Sequence, residues 1–175
     1  MEIEEFVRKS IGNWRSMRSG HSLAFNQFEE IISNLRINVL PKASPEIKNL
    51  LSGSKYQEAD LASPFIINWE AESNWEGNSK NTKGSSIIAP IKIGNGEGIM
   101  LRSSGYSEDI KVKTSYKFTN DGTLLLTTNY TKTKAEERIW FISENVRCRS
   151  SVISSLDSNA ILQTSFASEI RRLNV

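Results

Sequence analysis

The segment Ile11-Gly12-Asn13-Trp14-Arg15-Ser16-Met17-Arg18 decides how the rest of the 175-residue chain is interpreted. A Gly-x-Trp sequence at the start of a long strand suits the closed end of a small antiparallel barrel, because Gly12 permits a sharp turn and Trp14 is wide enough to fill the floor. Such a floor implies a cavity above it. The alternation of a strand then places Trp14, Ser16 and Arg18 on one face.

Composition favours one globular domain spanning residues 1–175 and argues against several functions. The 22 basic and 20 acidic residues leave a net charge of +2, so no charged surface for nucleic acid is indicated. The only cysteine, Cys148, and the only histidine, His21, exclude an internal disulfide and a Cys/His zinc site. An acidic start and the absence of a long apolar segment predict an intracellular protein without membrane insertion.

Two segments have the signals of short helices. Residues 2–10 carry apolar side chains at helical spacing after acidic residues, which predicts a helix that caps one end of the barrel. Residues 44–53 begin with Ser-Pro and end in glycine, as helices often do. We expect this second helix to lie over the barrel mouth.

Most of the remaining chain alternates with the period of two that is typical of β-strands. The clearest strand places one set of residues on a single, largely apolar face: Phe65, Ile67, Trp69, Ala71, Ser73 and Trp75. Residues 26–33 and 35–40 predict two separate strands, although residues 28–32 also fit a helical turn. Residues 77–84 predict a polar turn. The pattern predicts an all-β protein, a closed antiparallel up-and-down barrel of about ten strands with two short capping helices.

A cluster of charges lies on two late strands. Arg147 and Arg149 share one strand face with Ser151. If that face points inward, the two guanidiniums, about 7 Å apart, could bind carboxylate groups of a ligand. The alternative places the arginines outside and the intervening residues in the core, since burying charge is costly. On the preceding strand, either Glu136 or Glu137 must face inward.

Four motifs in this order make the chain similar to a known family: residues 12–18 with 21–25, 136–141, 145–152 and 166–171. Over almost its whole length the chain resembles the S/U-type phycobiliprotein chromophore lyases (CpcS/CpeS type). The resemblance implies a lipocalin-like or fatty-acid-binding-protein-like barrel. It also implies that the protein has no prosthetic group, binds a linear tetrapyrrole (a phycobilin) without covalent attachment, and transfers it to a cysteine of a phycobiliprotein subunit as a thioether.

The resemblance, together with the chemistry of a bilin, suggests which residues form the site. Arginines would bind the two propionates, and tryptophans would supply flat walls for the conjugated rings. The expected ligand-binding residues are Arg18, Trp69, Trp75, Arg147, Arg149 and Ser151. The positions similar to the family's functional acids are Glu136 and Glu169, which we expect to assist proton transfer; the sequence leaves open which is the principal one.

Several points stay open in the sequence. Overall likeness favours phycoerythrobilin over phycocyanobilin, with a phycoerythrin or phycocyanin subunit as acceptor, in a cyanobacterial cytoplasm or a plastid stroma. A homodimer and a monomer both remain compatible with the sequence. The alternatives are a non-catalytic carrier of a bilin or another amphipathic acid, such as a fatty acid or haem, and a chaperone of phycobiliprotein subunits. Cys148 is expected to face away from the ligand if Arg147 and Arg149 face it.

Overall fold

The computed structural model describes residues 1–73, 81–103 and 112–173. Two α-helices, a short 3-10 helix (Glu58–Asp60) and ten strands follow one another: α1 Ile3–Ser10, β1 Gly12–Ser22, β2 Gln27–Val39, α2 Pro45–Leu51, β3 Phe65–Ser73, β4 Asn81–Gly94, β5 Glu97–Arg102, β6 Val112–Phe118, β7 Leu124–Asn129, β8 Thr133–Ser143, β9 Val146–Ser155 and β10 Ile161–Arg171. No helix within the described residues is long and apolar enough to cross a membrane.

Each strand pairs antiparallel with its neighbours along the chain, and β10 pairs with β1 to close the barrel. The predicted fold class and strand number are therefore confirmed. Two boundaries were wrong. β2 is one continuous strand, because residues 27–39 find partners on β1 and β3. Gly84 lies inside β4, paired with Trp69, so the predicted turn ends earlier; residues 77–80 of that turn lie outside the described residues.

Helix α1 closes one end of the barrel, as predicted. Its apolar side chains Ile3, Phe6 and Val7 are almost fully buried in the same cluster as Trp14. Trp14 itself has no exposed surface, and its Nε1 donates a hydrogen bond to the carbonyl oxygen of Ser10 at 2.8 Å. The backbone of Gly12 has a φ of +127°, which allows the turn from the helix into β1. The floor predicted from the opening motif is present.

Helix α2 lies against the outer wall of the barrel, so its predicted place over the mouth is wrong. It begins as expected, with Ser44 Oγ accepting a hydrogen bond from the Ile47 amide at 3.4 Å. The helix and the outward faces of β4 and β5 share a second apolar cluster: Ile47, Leu50, Leu51, Leu61, Ala89, Ile91, Ile99 and Leu101. Over residues 87–91 of β4 and 99–101 of β5 both faces are apolar, and α2 covers the face that would otherwise meet water.

Candidate functional site

The predicted arginine face points into the barrel. Antiparallel register places Ser16, Glu169 and Arg147 side by side on β1, β10 and β9. The next inward row, farther from α1, contains Arg18, Ala167 and Arg149. The prediction of inward-facing arginines is confirmed, and the alternative with both arginines outside is wrong.

The lower row contains a buried ion pair. Arg147 Nε donates a hydrogen bond to Glu169 Oε2, and the two side chains are 7% and 3% exposed. The Arg147 Cζ atom also lies 4.7 Å from the centroid of the Trp14 ring. Burial lowers the pKa of Arg147 from its ordinary value, and the Glu169 carboxylate opposes that shift. Both predicted residues are thus in the interior, but they bind each other, and Arg147 presents little surface to a ligand.

Three further guanidiniums lie farther from α1, each beside a glutamate. Arg18 Nη2 is 2.8 Å from Glu29 Oε1. Arg149 Nε and Arg102 Nη1 approach the two oxygens of Glu137 at 3.5 and 3.7 Å. The side chains of Arg18, Arg149 and Arg102 are 34%, 39% and 32% exposed, respectively. A guanidinium has five donors, so each retains N–H groups for a carboxylate of a ligand.

Glu137, not Glu136, is the acid of β8 that faces the interior. Glu137 is opposite Ser151 and Leu126 in the register, and its side chain is only 14% exposed. Glu136 points outward, is 55% exposed, and forms an ion pair with Lys134 at 2.9 Å. Alternation along the strand allows only one of the two to enter the barrel. Glu136, which the resemblance suggested as a functional acid, therefore lies on the outer face of the barrel, and Glu137 is the acid that faces inward.

The signal that separates the two acids was present in the sequence. Glu137 shares its strand phase with Ile139 and Phe141, which pack against the floor cluster. Arg102 was missed because it stands at the end of a short strand, and Glu29 because residues 28–32 had no clear period. Arg102 and Glu29 each form an ion pair with a residue of another strand, and the pattern within one strand does not predict such a contact.

Flat apolar surface is supplied by Trp69. It lies in the inward phase of β3 against Gly84, where a Cβ atom would fall 2.3 Å from Trp69 Cζ2. The ring therefore rests on the wall where Gly84 has no side chain. Ser151 is also in the inward phase, next to Glu137. Trp75 lies outside the described residues.

Cys148 and His21 are both on the outer face. Cys148 pairs with Trp140 in the β8–β9 register and is 5% exposed. Trp140 is near Phe166 on the same outer surface, with ring centroids 6.2 Å apart. Burial raises the pKa of the Cys148 thiol, and Glu169 adds to that rise. His21 contacts Phe28, with ring centroids 4.8 Å apart, and lies on the face of β1 opposite to Trp14, Ser16 and Arg18.

Fold and site together define a closed ten-stranded β-barrel whose described interior carries three partly exposed guanidiniums. The CpeS-like protein family matches residues 2–172, and the chain belongs to this family. It is 46% identical to "Chromophore lyase CpcS/CpeS 3" of Trichodesmium erythraeum, over 98% of this chain and 99% of that protein. It is 38% identical to "Putative phycoerythrobilin lyase CpeS" of Microchaete diplosiphon, over 85% of this chain and 66% of that protein.

Solved structures agree with this assignment. The S-type phycobiliprotein lyase CPES from Guillardia theta superposes with a TM-score of 0.88 at 31% identity, covering 100% of this chain and 95% of that one. Rv2717c from M. tuberculosis superposes with a TM-score of 0.53 at 12% identity, over 97% of this chain and 96% of that one, which is a likeness of fold alone. The family expected from the four sequence motifs is confirmed.

Proposed function

We propose that this protein is a phycobilin lyase: it binds a linear tetrapyrrole non-covalently in the barrel and transfers it to a cysteine of a phycobiliprotein subunit. The observation that carries the proposal is the group of three half-exposed guanidiniums, Arg18, Arg102 and Arg149, which face the interior above the buried Arg147–Glu169 pair. The names of the relatives, which are chromophore lyases, support it.

Charge supports a bilin as the ligand. Three guanidiniums and the two carboxylates of Glu29 and Glu137 leave this part of the described interior with one positive charge (3 − 2). A bilin with two ionised propionates and a protonated tetrapyrrole carries one negative charge in total. The ligand would therefore neutralise the site, which matters because uncompensated charge in a barrel interior is costly. Trp69 offers the conjugated rings a flat apolar contact.

The transfer is an addition that needs no oxidant and no leaving group. The sulfur of the acceptor cysteine forms a bond to the ring A ethylidene. The thiol loses one proton, and the bilin gains one. We assign two roles to Glu137: its carboxylate accepts hydrogen bonds from the pyrrole nitrogens, and it assists this proton transfer. Glu169 acts by holding Arg147 beneath the ligand, and Glu136 has no direct role.

Phycoerythrobilin is the bilin that we propose, with a phycoerythrin subunit as acceptor. The relative named as a putative phycoerythrobilin lyase is 38% identical to this chain, whereas the one named as a phycocyanobilin lyase subunit is 29% identical. Parallel binding experiments with both bilins test this choice, and tighter binding of phycocyanobilin would contradict it.

A two-stage experiment tests the lyase function. We expect the absorption band of phycoerythrobilin to shift when the bilin is mixed with the purified protein. An excess of fatty acid should not reverse this shift. Addition of the apo-subunit should then give bilin colour on the subunit after denaturation. Binding without covalent transfer would indicate a carrier or chaperone and would overturn the lyase proposal.

Glu137→Gln and Glu136→Gln form a matched pair for the same assay. We expect Glu137→Gln to reduce transfer about 100-fold or more, the range usual for loss of a general acid or base, while Glu136→Gln retains wild-type transfer. The two acids are sequence neighbours on opposite faces of β8. Equal loss in both variants would contradict the assignment of Glu137.

A further inference from the structure

Glu29 forms an ion pair with Arg18, one of the three guanidiniums that we propose to bind the propionates of the ligand. It lies on β2 in the inward phase, directly opposite Gly20 of β1. A Cβ atom on Gly20 would stand 3.3 Å from both Cγ and Oε1 of Glu29, so the absence of a side chain at Gly20 gives Glu29 room to lie along the wall. From there its Oε1 reaches Arg18 Nη2 at 2.8 Å, the shortest of the three upper arginine–glutamate distances.

An incoming carboxylate has to share Arg18 with Glu29. Two carboxylates at one guanidinium repel each other, and this repulsion weakens the binding of the second. The Glu29 side chain is 45% exposed, so water can solvate it when it leaves Arg18. The Arg18–Glu29 ion pair is thus short enough for Glu29 to compete with an incoming carboxylate, and exposed enough for the pair to separate.

We propose that Glu29 is an internal competitor for Arg18: it binds the guanidinium before a ligand arrives and weakens the hold on a ligand propionate, which favours release to the acceptor. This inference rests on the proposed function, because it concerns the same interior site. It makes Glu29 a residue that sets affinity and release rather than a catalytic residue.

The test compares phycoerythrobilin with its dimethyl ester, whose carboxyl groups cannot pair with Arg18. Glu29→Gln is expected to lower the dissociation constant for the free acid by roughly three- to fivefold, the size expected for a half-exposed ion pair, and to slow its release. Affinity for the dimethyl ester should not increase, because the ester has no carboxylate that competes with Glu29 for Arg18. Glu30→Gln is the matched control, because Glu30 is the exposed neighbour on the outer face of β2.

A second variant separates competition from a structural effect. In an Arg18→Gln background, adding Glu29→Gln should not change the affinity further, because the two act through one contact. If the wild type binds no bilin, the proposed function fails. If the wild type binds but Glu29→Gln leaves the affinity unchanged or weakens it, or changes the ester equally, only the role of Glu29 is overturned.

Discussion

At the floor of the barrel the Trp14 ring contacts two guanidiniums. Arg147 and Arg171 place their Cζ atoms 4.7 and 4.3 Å from its centroid. Arg171 also donates hydrogen bonds to the carbonyl oxygens of Lys9, Ile11 and Glu144, which fastens the end of α1 and the β8–β9 turn to the same ring. The sequence predicted Trp14 as a floor residue, but Arg171 depends on carbonyls from distant segments and had no local signal.

The buried Arg147–Glu169 pair gives a prediction about stability. Arg147→Met leaves the Glu169 carboxylate buried without a partner, and we expect it to lower the free energy of unfolding by about 3–5 kcal/mol. The double variant Arg147→Met/Glu169→Leu should be clearly less destabilised than the sum of the two single changes. Urea unfolding of the four proteins measures this, and strict additivity would contradict coupling of the pair.

At the scale of elements, the two helices show what amphipathicity predicts and what it does not. An apolar face indicates that a helix is covered, but not which surface covers it. Alternation on β4 and β5 was obscured by continuous apolar runs such as Ile87–Ala89, which are typical of strands buried on both faces. Those runs were the signal that an outer layer, α2, must cover this wall.

Because α2 lies on the outer wall, we expect substitutions in this helix to change the stability of the protein without changing the proposed ligand binding. Leu50 is 6% exposed in the cluster between α2 and the outer wall. Leu50→Ala is expected to lower the free energy of unfolding by about 2–4 kcal/mol through cavity formation while the bilin dissociation constant stays unchanged. Lys48→Ala, at an exposed position of the same helix, should change neither. A marked loss of bilin affinity in Leu50→Ala would contradict this prediction and indicate that α2 contributes to ligand binding.

At the scale of the whole molecule, the sequence predicted the barrel and most inward phases, because alternation is a local property of each strand. It did not predict the ion pairs of the interior. Arg102 on β5 reaches Glu137 on β8, with two strands between them in the order of the sheet. Arg102 and Glu137 meet because the sheet curves around the barrel interior, and the spacing of residues along the chain gives no signal of their contact.

Alkaline pH should destabilise the whole barrel through Tyr116. Burial, with a smaller effect of Glu4, raises its pKa from 10.0 to about 12. The unfolded chain releases this proton first, so the contribution of Tyr116 to stability is complete below about pH 10 and is lost as the pH rises towards about 12. Urea unfolding across this range should show a decline that is smaller in Tyr116→Phe. An identical decline in that variant would assign the effect to other groups.

Closure of the barrel brings the first and last strands of the chain together. β1 and β10 are neighbours in space, and Arg171 contacts Ile11 at a sequence separation of 160 residues. Such non-local pairing slows folding, since the entropy of a very long loop is lost before the contacts form. Glu169 belongs to this last strand, so the buried Arg147–Glu169 pair requires β10 to be paired with β9. During synthesis the buried ion pair therefore cannot form before β10 has emerged from the ribosome, so the last strand completes the charge balance of the barrel floor.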